Sequence, residues 1–205
     1  MKQGNTYCIP LEQRSQRIYD IDKLTKGISE LPLPMAEPVL VLISGLPGVG
    51  KSFVRRRLAD RLPSVVLESD SLRKILFSQP DYSKTESERL FKAIHLLAER
   101  YLKAGFCIIV DATNLTEYRR QYFYNIAKRA QVQLIIVSVK APPSLVKERL
   151  AARVKNQDDK SEADWEVYKK MKPLVEKITR KHFVVDTSTE ITSVIDKIMS
   201  EIDCM

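Results

Sequence analysis

The stretch Val39–Ser52, which reads VLVLISGLPGVGKS, decides the fold of this chain. An apolar run that predicts a strand leads into GLPGVGKS, which matches the phosphate-binding pattern GxxxxGK[ST], and an amphipathic helix is predicted over Phe53–Leu62. The glycines allow the backbone to turn consecutive N–H groups toward phosphates, and the start of the helix adds positive potential. We expect Lys51 to reach the β- and γ-phosphates of ATP and the Ser52 hydroxyl to ligate Mg²⁺. The predicted ATP-binding residues are Gly45, Leu46, Pro47, Gly48, Val49, Gly50, Lys51 and Ser52.

Short apolar runs alternate with amphipathic segments from this point onward. Continuous apolar runs are typical of strands buried on both faces, and repeated strand–helix units predict a parallel sheet with right-handed crossovers. The sequence predicts an α/β, three-layer P-loop NTPase fold of the nucleotide-kinase type, with about five parallel strands, helices on both faces and a helical lid. The predicted strands are Val39–Ile43, Val65–Leu67, Phe106–Val110, Leu134–Val139 and Phe183–Val185.

Helix boundaries are indicated at several places. Capping-box patterns at Ser83–Glu86 and Ser161–Asp164 predict two helices, the first ended by Gly105 and the second running to about Ile178. Near the start of the chain, apolar spacing favours a short helix over Tyr19–Leu31.

Charged side chains follow the second predicted strand, in Glu68-Ser-Asp70-Ser-Leu-Arg73. The carboxyl ends of parallel strands are where such sheets bind ligands, so this segment is expected beside the phosphate-binding loop. There Asp70 could take the proton of an acceptor hydroxyl, and Arg73, on the same helix face, could hold a phosphate. The alternative for Asp70 is a helix N-cap, a position that favours aspartate.

The third predicted strand ends in Asp111-Ala-Thr-Asn114. An acid at the end of an apolar strand is typical of the Walker B position, which predicts that Asp111 supports Mg²⁺ indirectly through Ser52. Thr113 and Asn114 are candidate acceptor-binding residues that orient either a phosphate or the loop itself. The alternative for both is that they only bond their own backbone.

A helix predicted from Pro143 carries Arg149 and Arg153 on one face. It runs into the polar stretch Lys155–Lys160, which we interpret as the hinge of a lid. Arginines on a lid neutralise the charge on a transferred phosphoryl group and exclude water, so both are candidate catalytic and ATP-binding residues. The alternative is an exposed basic helix face.

Together, GLPGVGKS, ESDSLR, VDATN and ERLAAR resemble the P-loop kinase group that contains the polynucleotide 5′-hydroxyl kinases, the zeta toxins and the chloramphenicol phosphotransferases. The resemblance covers about residues 38–187 and is greatest to the kinase module of bacterial and phage polynucleotide kinases. It implies that Asp70 is the general base and that Arg73 contacts the phosphate on the acceptor side. It also implies that Arg149 and Arg153 contact the donor phosphates. The DxDxT phosphatase pattern of the bifunctional enzymes is absent from the sequence.

These observations predict an ATP-dependent phosphotransferase that moves the γ-phosphate to a hydroxyl, with a polynucleotide 5′-hydroxyl as the leading acceptor and with ATP and Mg²⁺ as cofactors. The catalytic candidates are Lys51, Asp70, Arg149 and Arg153. One alternative is a kinase of a small molecule such as a nucleoside, sugar or antibiotic. Another is an ATP-binding switch or ATPase, against which Asp70 counts because a switch needs no acceptor base.

The composition indicates which partners and which cellular compartment to expect. The chain has 205 residues and a net charge of +8, and the basic excess lies outside residues 1–37, which favours anionic ligands such as DNA or RNA 5′ ends. No apolar run is long enough to cross a bilayer, so we expect no membrane partner. Three widely spaced cysteines are typical of a cytoplasmic protein rather than of a disulfide or zinc framework. The sequence indicates no oligomeric state.

The proline-rich stretch Leu31–Pro38 predicts a connector. We therefore divide the chain into an N-terminal extension and linker, 1–37, and a P-loop kinase domain, 38–205, whose lid spans about 149–178.

Other residues fit ordinary structural roles better than functional ones. We expect Arg55–Arg57 to form a solvated face rather than grip nucleic acid, Trp165 to anchor the lid helix, and His95 to have no catalytic role. Core packing is expected to account for part of the aromatic cluster that follows the third strand, with a base- or sugar-binding wall as the alternative: Tyr118, Tyr122, Phe123 and Tyr124.

Overall fold

The computed structural model describes residues 11–28, 31–153 and 163–203. Within these ranges, five strands form one parallel sheet in the order β2-β3-β1-β4-β5. The strands are β1 Val39–Ser44, β2 Ser64–Glu68, β3 Cys107–Asp111, β4 Gln133–Lys140 and β5 Phe183–Asp186. The helices are α1 Leu11–Gly27, α2 Lys51–Ala59, α3 Ser69–Leu76, α4 Lys84–Lys103, α5 Glu117–Ala130, α6 Pro143–Arg153, α7 Trp165–Met171 and α8 Thr192–Asp203.

Helices cover both faces of the sheet. Leu40 and Leu42 of β1 belong to one hydrophobic core, shared with α1, α3, α4 and α5. Val41 and Ile43 belong to a second core on the opposite face, shared with α2, α6, α7 and α8. All four side chains are fully buried, because successive residues of a strand point to opposite faces and both faces are covered. The predicted three-layer P-loop NTPase fold is confirmed.

The register of the sheet brings three loops to one edge. Ile43 of β1 lies opposite Asp111 of β3, and Asp111 lies opposite Glu68 of β2. The segments that follow these three strands therefore emerge side by side.

The first helix differs from its prediction, because α1 begins at Leu11 and ends at Gly27 instead of spanning Tyr19–Leu31. Glycine favours the end of a helix, and Leu31 lies beyond it with 48% of its surface exposed. Leu24 of α1 is fully buried in the core with α3 and α4. The predicted extension thus contributes a helix that packs on the body of the domain.

The other helix ends are partly as predicted. The Ser83 hydroxyl accepts a hydrogen bond from the Glu86 N–H, which confirms the predicted start of α4. The reciprocal bond of a capping box is replaced, because the Ser83 N–H donates to Asp81 Oδ1 and the Glu86 carboxylate accepts from the Asp81 N–H and from Arg73. The P-loop helix α2 begins two residues earlier than predicted, at Lys51, and is already complete at Ala59.

In the lid region, the prediction of a helix to Ile178 is wrong. Helix α7 ends at Met171 and continues only as a 3-10 turn over Lys172–Leu174. Pro173 explains this end, because proline lacks the N–H that would continue the helix. The Asp164 carboxylate caps α7 by accepting from the Val167 N–H at 2.8 Å.

The described residues include only part of the predicted lid. Ser161 of the second capping box and the predicted hinge Lys155–Lys160 lie outside the described residues. Trp165 stacks on the buried Tyr168, with ring centres 4.8 Å apart, and packs against the core, as expected for an anchor of this helix. Along the parts of the chain that the structure describes, no helix is both long and apolar enough to cross a membrane.

Candidate active site

The P-loop connects β1 to α2 through two glycines with positive φ. Gly48 has φ 77° and Gly50, the N-cap of α2, has φ 94°, values that glycine adopts without the strain another residue would incur. The Lys51 ammonium donates to the Leu46 carbonyl at 3.0 Å and so spans the loop. The loop therefore has the geometry that the sequence pattern predicts for a phosphate cradle.

Helix α6 packs directly on this loop. A Cβ atom added at Gly48 would lie 2.8 Å from Val146 Cγ1 and 2.9 Å from Leu150 Cγ. Both side chains are buried, so the space cannot be gained by moving a flexible surface group. The position of α6 is thus coupled to that of the phosphate-binding loop.

Ser52 and Asp111 lie side by side at the start of α2 and the end of β3. The Ser52 side chain is hydrogen-bonded to Asp111, which is 4% exposed. Burial raises the pKa of the Asp111 carboxyl, and the nearby Lys51 ammonium opposes that shift. The predicted contact between these two residues is present.

This donor set fits Mg²⁺. The ion prefers oxygen ligands and completes its coordination with water and substrate phosphates rather than with a protein cage. In the described part of the chain, no group of three or more His, Cys, Asp or Glu side chains could hold a metal by itself. A hydroxyl backed by a buried carboxylate suits an ion held mainly by a nucleotide.

Arg55 was expected on a solvated face, and that prediction is wrong. Its Nε donates to Asp111 Oδ2 at 3.2 Å, and its side chain is 20% exposed. Arg56 and Arg57 are exposed as expected. The difference arises because one side of α2 faces the end of β3.

Asp70 and Arg73 lie on α3, and both line the same cavity as the P-loop. Glu68, with extended backbone, holds the N-cap position of α3, so Asp70 lies in the first turn rather than at the cap. The alternative that Asp70 serves as the N-cap is therefore wrong. The predicted shared face of Asp70 and Arg73 is confirmed.

Arg73 is already engaged by protein groups. It is 6% exposed and forms an ion pair with Glu86 of α4, while its Nη2 donates to Ser87 Oγ at 3.2 Å. The Tyr82 ring lies under the guanidinium, 4.7 Å from ring centre to Cζ. The charge that the resemblance assigns to an acceptor phosphate is thus neutralised within the protein.

The loop after β3 is tied to β1. The Asn114 amide donates to the Ile43 carbonyl at 2.8 Å, and the Thr113 carbonyl accepts from the Gly45 N–H at 3.0 Å. Asn114 also has positive φ, 43°. Both residues line the cavity, and the amide of Asn114 fixes the loop, as one of the two open interpretations proposed.

Sequence reasoning missed Arg120, whose guanidinium holds this loop through hydrogen bonds to its carbonyls. It is fully buried and donates to the Asn114 and Leu115 carbonyls at 3.0 and 2.7 Å. It also donates to the Glu176 carbonyl at 3.2 Å and so links the loop to the segment after α7. No local pattern distinguishes it from its neighbour Arg119.

Arg149 lies beside the P-loop, outside the lining of the cavity. It donates to Thr187 Oγ1 at 2.8 Å and to the Thr187 carbonyl at 2.9 Å, and the Thr187 hydroxyl donates to the Val49 carbonyl at 2.7 Å. Sequence reasoning missed Thr187, which follows β5 and connects the arginine to the loop. Arg153 ends α6, and its side chain is not among those described.

The aromatic residues of α5 divide between core and surface. Phe123 and Tyr124 are buried, as expected. Tyr118 and Tyr122 are 69% and 42% exposed, and their hydroxyls lie 2.7 Å apart. His95 stacks on Tyr122 with ring centres 4.8 Å apart and lies outside the cavity lining.

One cavity of about 710 Å³ is lined by several of the predicted site residues, but not by Arg149. Those that line it are Pro47, Gly48, Gly50, Lys51, Ser52, Asp70, Arg73, Asp111, Thr113 and Asn114. The P-loop forms one end, with Asp111 and Asp70 next to it. Helices α4, α5 and α7 form the other end, which is lined by residues that include Phe91, Arg119, Val167, Met171 and Leu174. The cavity thus extends from the P-loop to the side chains of α4, α5 and α7.

Comparison with known proteins places this geometry in a family. Residues 40–178 match the AAA_33 family of AAA domains. The L-seryl-tRNA(Sec) kinase of Methanococcus maripaludis is 28% identical over 116 residues, which are 54% of this chain and 44% of that protein. The match thus spans less than half the length of that curated relative.

Solved structures that share the fold include two with bound nucleotides or nucleotide analogues. Chaetomium thermophilum Kti12 in complex with ADP-AlF3 has a TM-score of 0.65 and 19% identity, over 78% of this chain and 97% of that one. The Mycobacterium tuberculosis APS kinase CysC in complex with AMPPNP and APS has a TM-score of 0.61 and 17% identity, over 82% and 98%. The comparisons do not single out the polynucleotide kinase group. The chain belongs to the AAA_33 family of AAA domains, a family of P-loop kinases.

Proposed function

We propose that this protein transfers the γ-phosphoryl group of ATP to a hydroxyl. One observation supports this above all: Asp70 and the P-loop residues Lys51 and Ser52 line the same cavity. A phosphate site and a carboxylate base in one space are what phosphoryl transfer to an alcohol requires. An ATP-binding switch would have no use for the second group.

In this proposal Lys51 and the N–H groups of the P-loop hold the β- and γ-phosphates. Ser52, hydrogen-bonded to Asp111, would hold Mg²⁺, which would neutralise charge on the phosphates. Asp70 accepts the proton of the acceptor hydroxyl as its oxygen forms the new bond to the γ-phosphorus, and ADP leaves. Thr113 and Asn114 line the space between donor and acceptor.

Arg149 and Arg153 remain the proposed contacts to the donor phosphates. Arg149 Nη1 lies 3.3 Å from the position that a Cβ of Gly50 would occupy, so its guanidinium is already next to the loop. An arginine held there by Thr187 needs little rearrangement to meet a bound nucleotide.

For the acceptor, we propose a hydroxyl at the end of a nucleic acid, with a polynucleotide 5′-hydroxyl first. The motifs resemble those of polynucleotide kinases, and the net charge of +8 favours a polyanion. The name of one relative, L-seryl-tRNA(Sec) kinase, also refers to a nucleic acid, a tRNA.

A small-molecule acceptor is the second candidate, and the pairing of Arg73 with Glu86 favours it. A polynucleotide bound with its 5′ end at Asp70 would place a backbone phosphate near this position. We would then expect a guanidinium that is available to bind that phosphate. A small alcohol would not need one.

The test is transfer from γ-labelled ATP to a 5′-hydroxyl oligonucleotide, to nucleosides and to sugars. Lys51→Ala should abolish transfer, whereas Lys181→Ala, at an exposed residue near the opposite end of the domain, should not. A polynucleotide acceptor should show a KM that rises with salt, with a log–log slope of roughly 0.7 per phosphate contacted. ATP turnover that no acceptor accelerates would refute the kinase proposal.

A further inference from the structure

Among the described residues, three basic side chains line the cavity: Lys51, Arg73 and Arg119. Lys51 belongs to the P-loop, and Arg73 is paired with Glu86. Arg119 makes no ion pair within residues 11–28, 31–153 and 163–203. It is therefore the cation at the acceptor end of the cavity whose charge the described side chains leave unmatched.

Arg119 lies in the first turn of α5 and is half-buried. Its Cζ is 4.8 Å from the ring centre of Phe91, which belongs to α4 and also lines the cavity. Stacking on the ring fixes the plane of the guanidinium while leaving its N–H groups available to an anion. The adjacent Glu117 is engaged by Arg120 at 3.1 Å.

The carboxylates that line the cavity in the described part of the chain are concentrated at its other end. Glu68, Asp70 and Asp111 lie where β2 and β3 finish, next to the P-loop. Glu88 of α4 does not line the cavity, although, together with the hydrogen bond to Tyr118, its charge contributes to raising the pKa of the Tyr122 hydroxyl. An anionic group on the acceptor is thus repelled from the Asp70 end and attracted to Arg119.

Apolar and aromatic surface completes this end of the cavity. Phe91 and Tyr82 present rings, and Val167, Met171 and Leu174 present aliphatic side chains. Such a wall suits a flat, weakly polar group more than a sugar alone.

We propose that Arg119 binds an anionic group of the acceptor, and that the acceptor is a nucleoside phosphate, either free or at the end of a strand. The assignment rests on the proposed function for the hydroxyl and Asp70, and adds the residue that selects the substrate. It places the phosphate of the acceptor on Arg119, its base against the apolar wall, and its hydroxyl toward Asp70.

The experiment measures binding separately from transfer. Thymidine 3′-monophosphate, thymidine and a short 5′-hydroxyl oligothymidylate are titrated calorimetrically into the protein saturated with AMPPNP. The variants are Arg119→Gln, Arg119→Lys and the matched control Arg57→Gln. Arg57 also stacks on a ring, Phe53 at 5.4 Å, but it does not line the cavity.

We expect Arg119→Gln to weaken binding of thymidine 3′-monophosphate roughly 10- to 100-fold, as the loss of a charge-assisted hydrogen bond should do. Binding of thymidine should change less than about twofold, because it carries no phosphate to meet the charge. Arg119→Lys should recover part of the loss, and Arg57→Gln should change neither ligand. Thermal melts check that each variant is folded.

Two outcomes overturn the assignment: a wild-type protein that binds the monophosphate no more tightly than thymidine, or an Arg119→Gln variant that weakens both ligands equally. Binding that depends on Arg119 without any transfer would support the assignment and refute the proposed function. Phosphoryl transfer that is unchanged in Arg119→Gln would support the proposed function and refute the assignment of Arg119. Tighter binding of the monophosphate would identify a free nucleotide as the acceptor, and tighter binding of the oligothymidylate would identify the end of a strand.

Discussion

Replacing Glu86 with glutamine tests how the acceptor end of the cavity is held together. Glu86 and Arg73 form an ion pair between α4 and α3, and their side chains are 6% and 7% exposed. The Glu86 carboxylate accepts from Arg73 with one oxygen and from the Asp81 N–H with the other, at 2.8 Å. Glutamine keeps the size of the side chain but only one accepting oxygen. The substitution therefore removes the charge and one of these two hydrogen bonds, leaving a buried guanidinium without its counterion.

The expected loss of unfolding free energy is about 3 kcal/mol. Removing one partner of a buried pair typically costs about 3–5 kcal/mol, because the remaining charge stays desolvated, and the unchanged size of the side chain favours the lower end. For a domain of this size, about 1 kcal/mol corresponds to roughly 2–4 °C, so the melting temperature should fall by roughly 6–12 °C.

Thermal and urea unfolding of the variant provide the measurement. The matched control is Glu201→Gln, which breaks an ion pair with Lys181 whose side chains are 35% and 77% exposed. Solvent screens that pair, so its loss should cost less than about 1 kcal/mol. The double variant Arg73→Met/Glu86→Leu should recover most of the stability, because no buried charge remains.

The reasoning is refuted if Glu86→Gln destabilises no more than Glu201→Gln. A double variant less stable than Glu86→Gln alone would also count against it, since the cost would then lie in lost packing and not in the unpaired charge.

Three further predictions concern single positions. Asp70→Asn should lower transfer about 10²–10⁴-fold with the KM for ATP unchanged, because only the general base is lost; equal activity would remove Asp70 from the mechanism. Thr187→Val should raise the KM for ATP about tenfold by releasing Arg149, whereas Thr189→Val in the same loop should not, as initial rates will show. Burial lowers the pKa of His95 from 6.5 to about 4, so the folded state favours the neutral ring, and stability is lost as pH falls between these values. His95→Phe should flatten that part of the stability profile in urea titrations at stepped pH, and an unchanged profile would contradict it.

The strands and the P-loop could be predicted from the sequence because both are local patterns. All five apolar runs became strands within two residues of their expected ends. The glycines at 48 and 50 take the positive φ values that their positions in the motif require. The meeting of Asp70 and Asp111 beside the loop followed from one rule, that parallel strands present their carboxyl ends at the same edge.

The misjudged residues depend on partners distant in sequence. Arg55 reads as one of three surface arginines until β3 brings Asp111 beside it, 56 positions away. Arg120 is buried by carbonyls from two separate loops, and Thr187 matters because it sits between Arg149 and the P-loop. No spacing within one segment encodes these contacts.

By itself, the sequence determined the α/β layer order, the phosphate-binding loop and the set of polar residues at the edge of the sheet, because hydrophobic period and glycine placement act over a few residues. Only the tertiary structure decided which arginine is available. Arg73 and Arg119 both line the cavity, yet α4 places a carboxylate against the first and an aromatic ring against the second. Whether a charge is neutralised depends on which side chains meet across the core, and packing of helices far apart in the chain determines that.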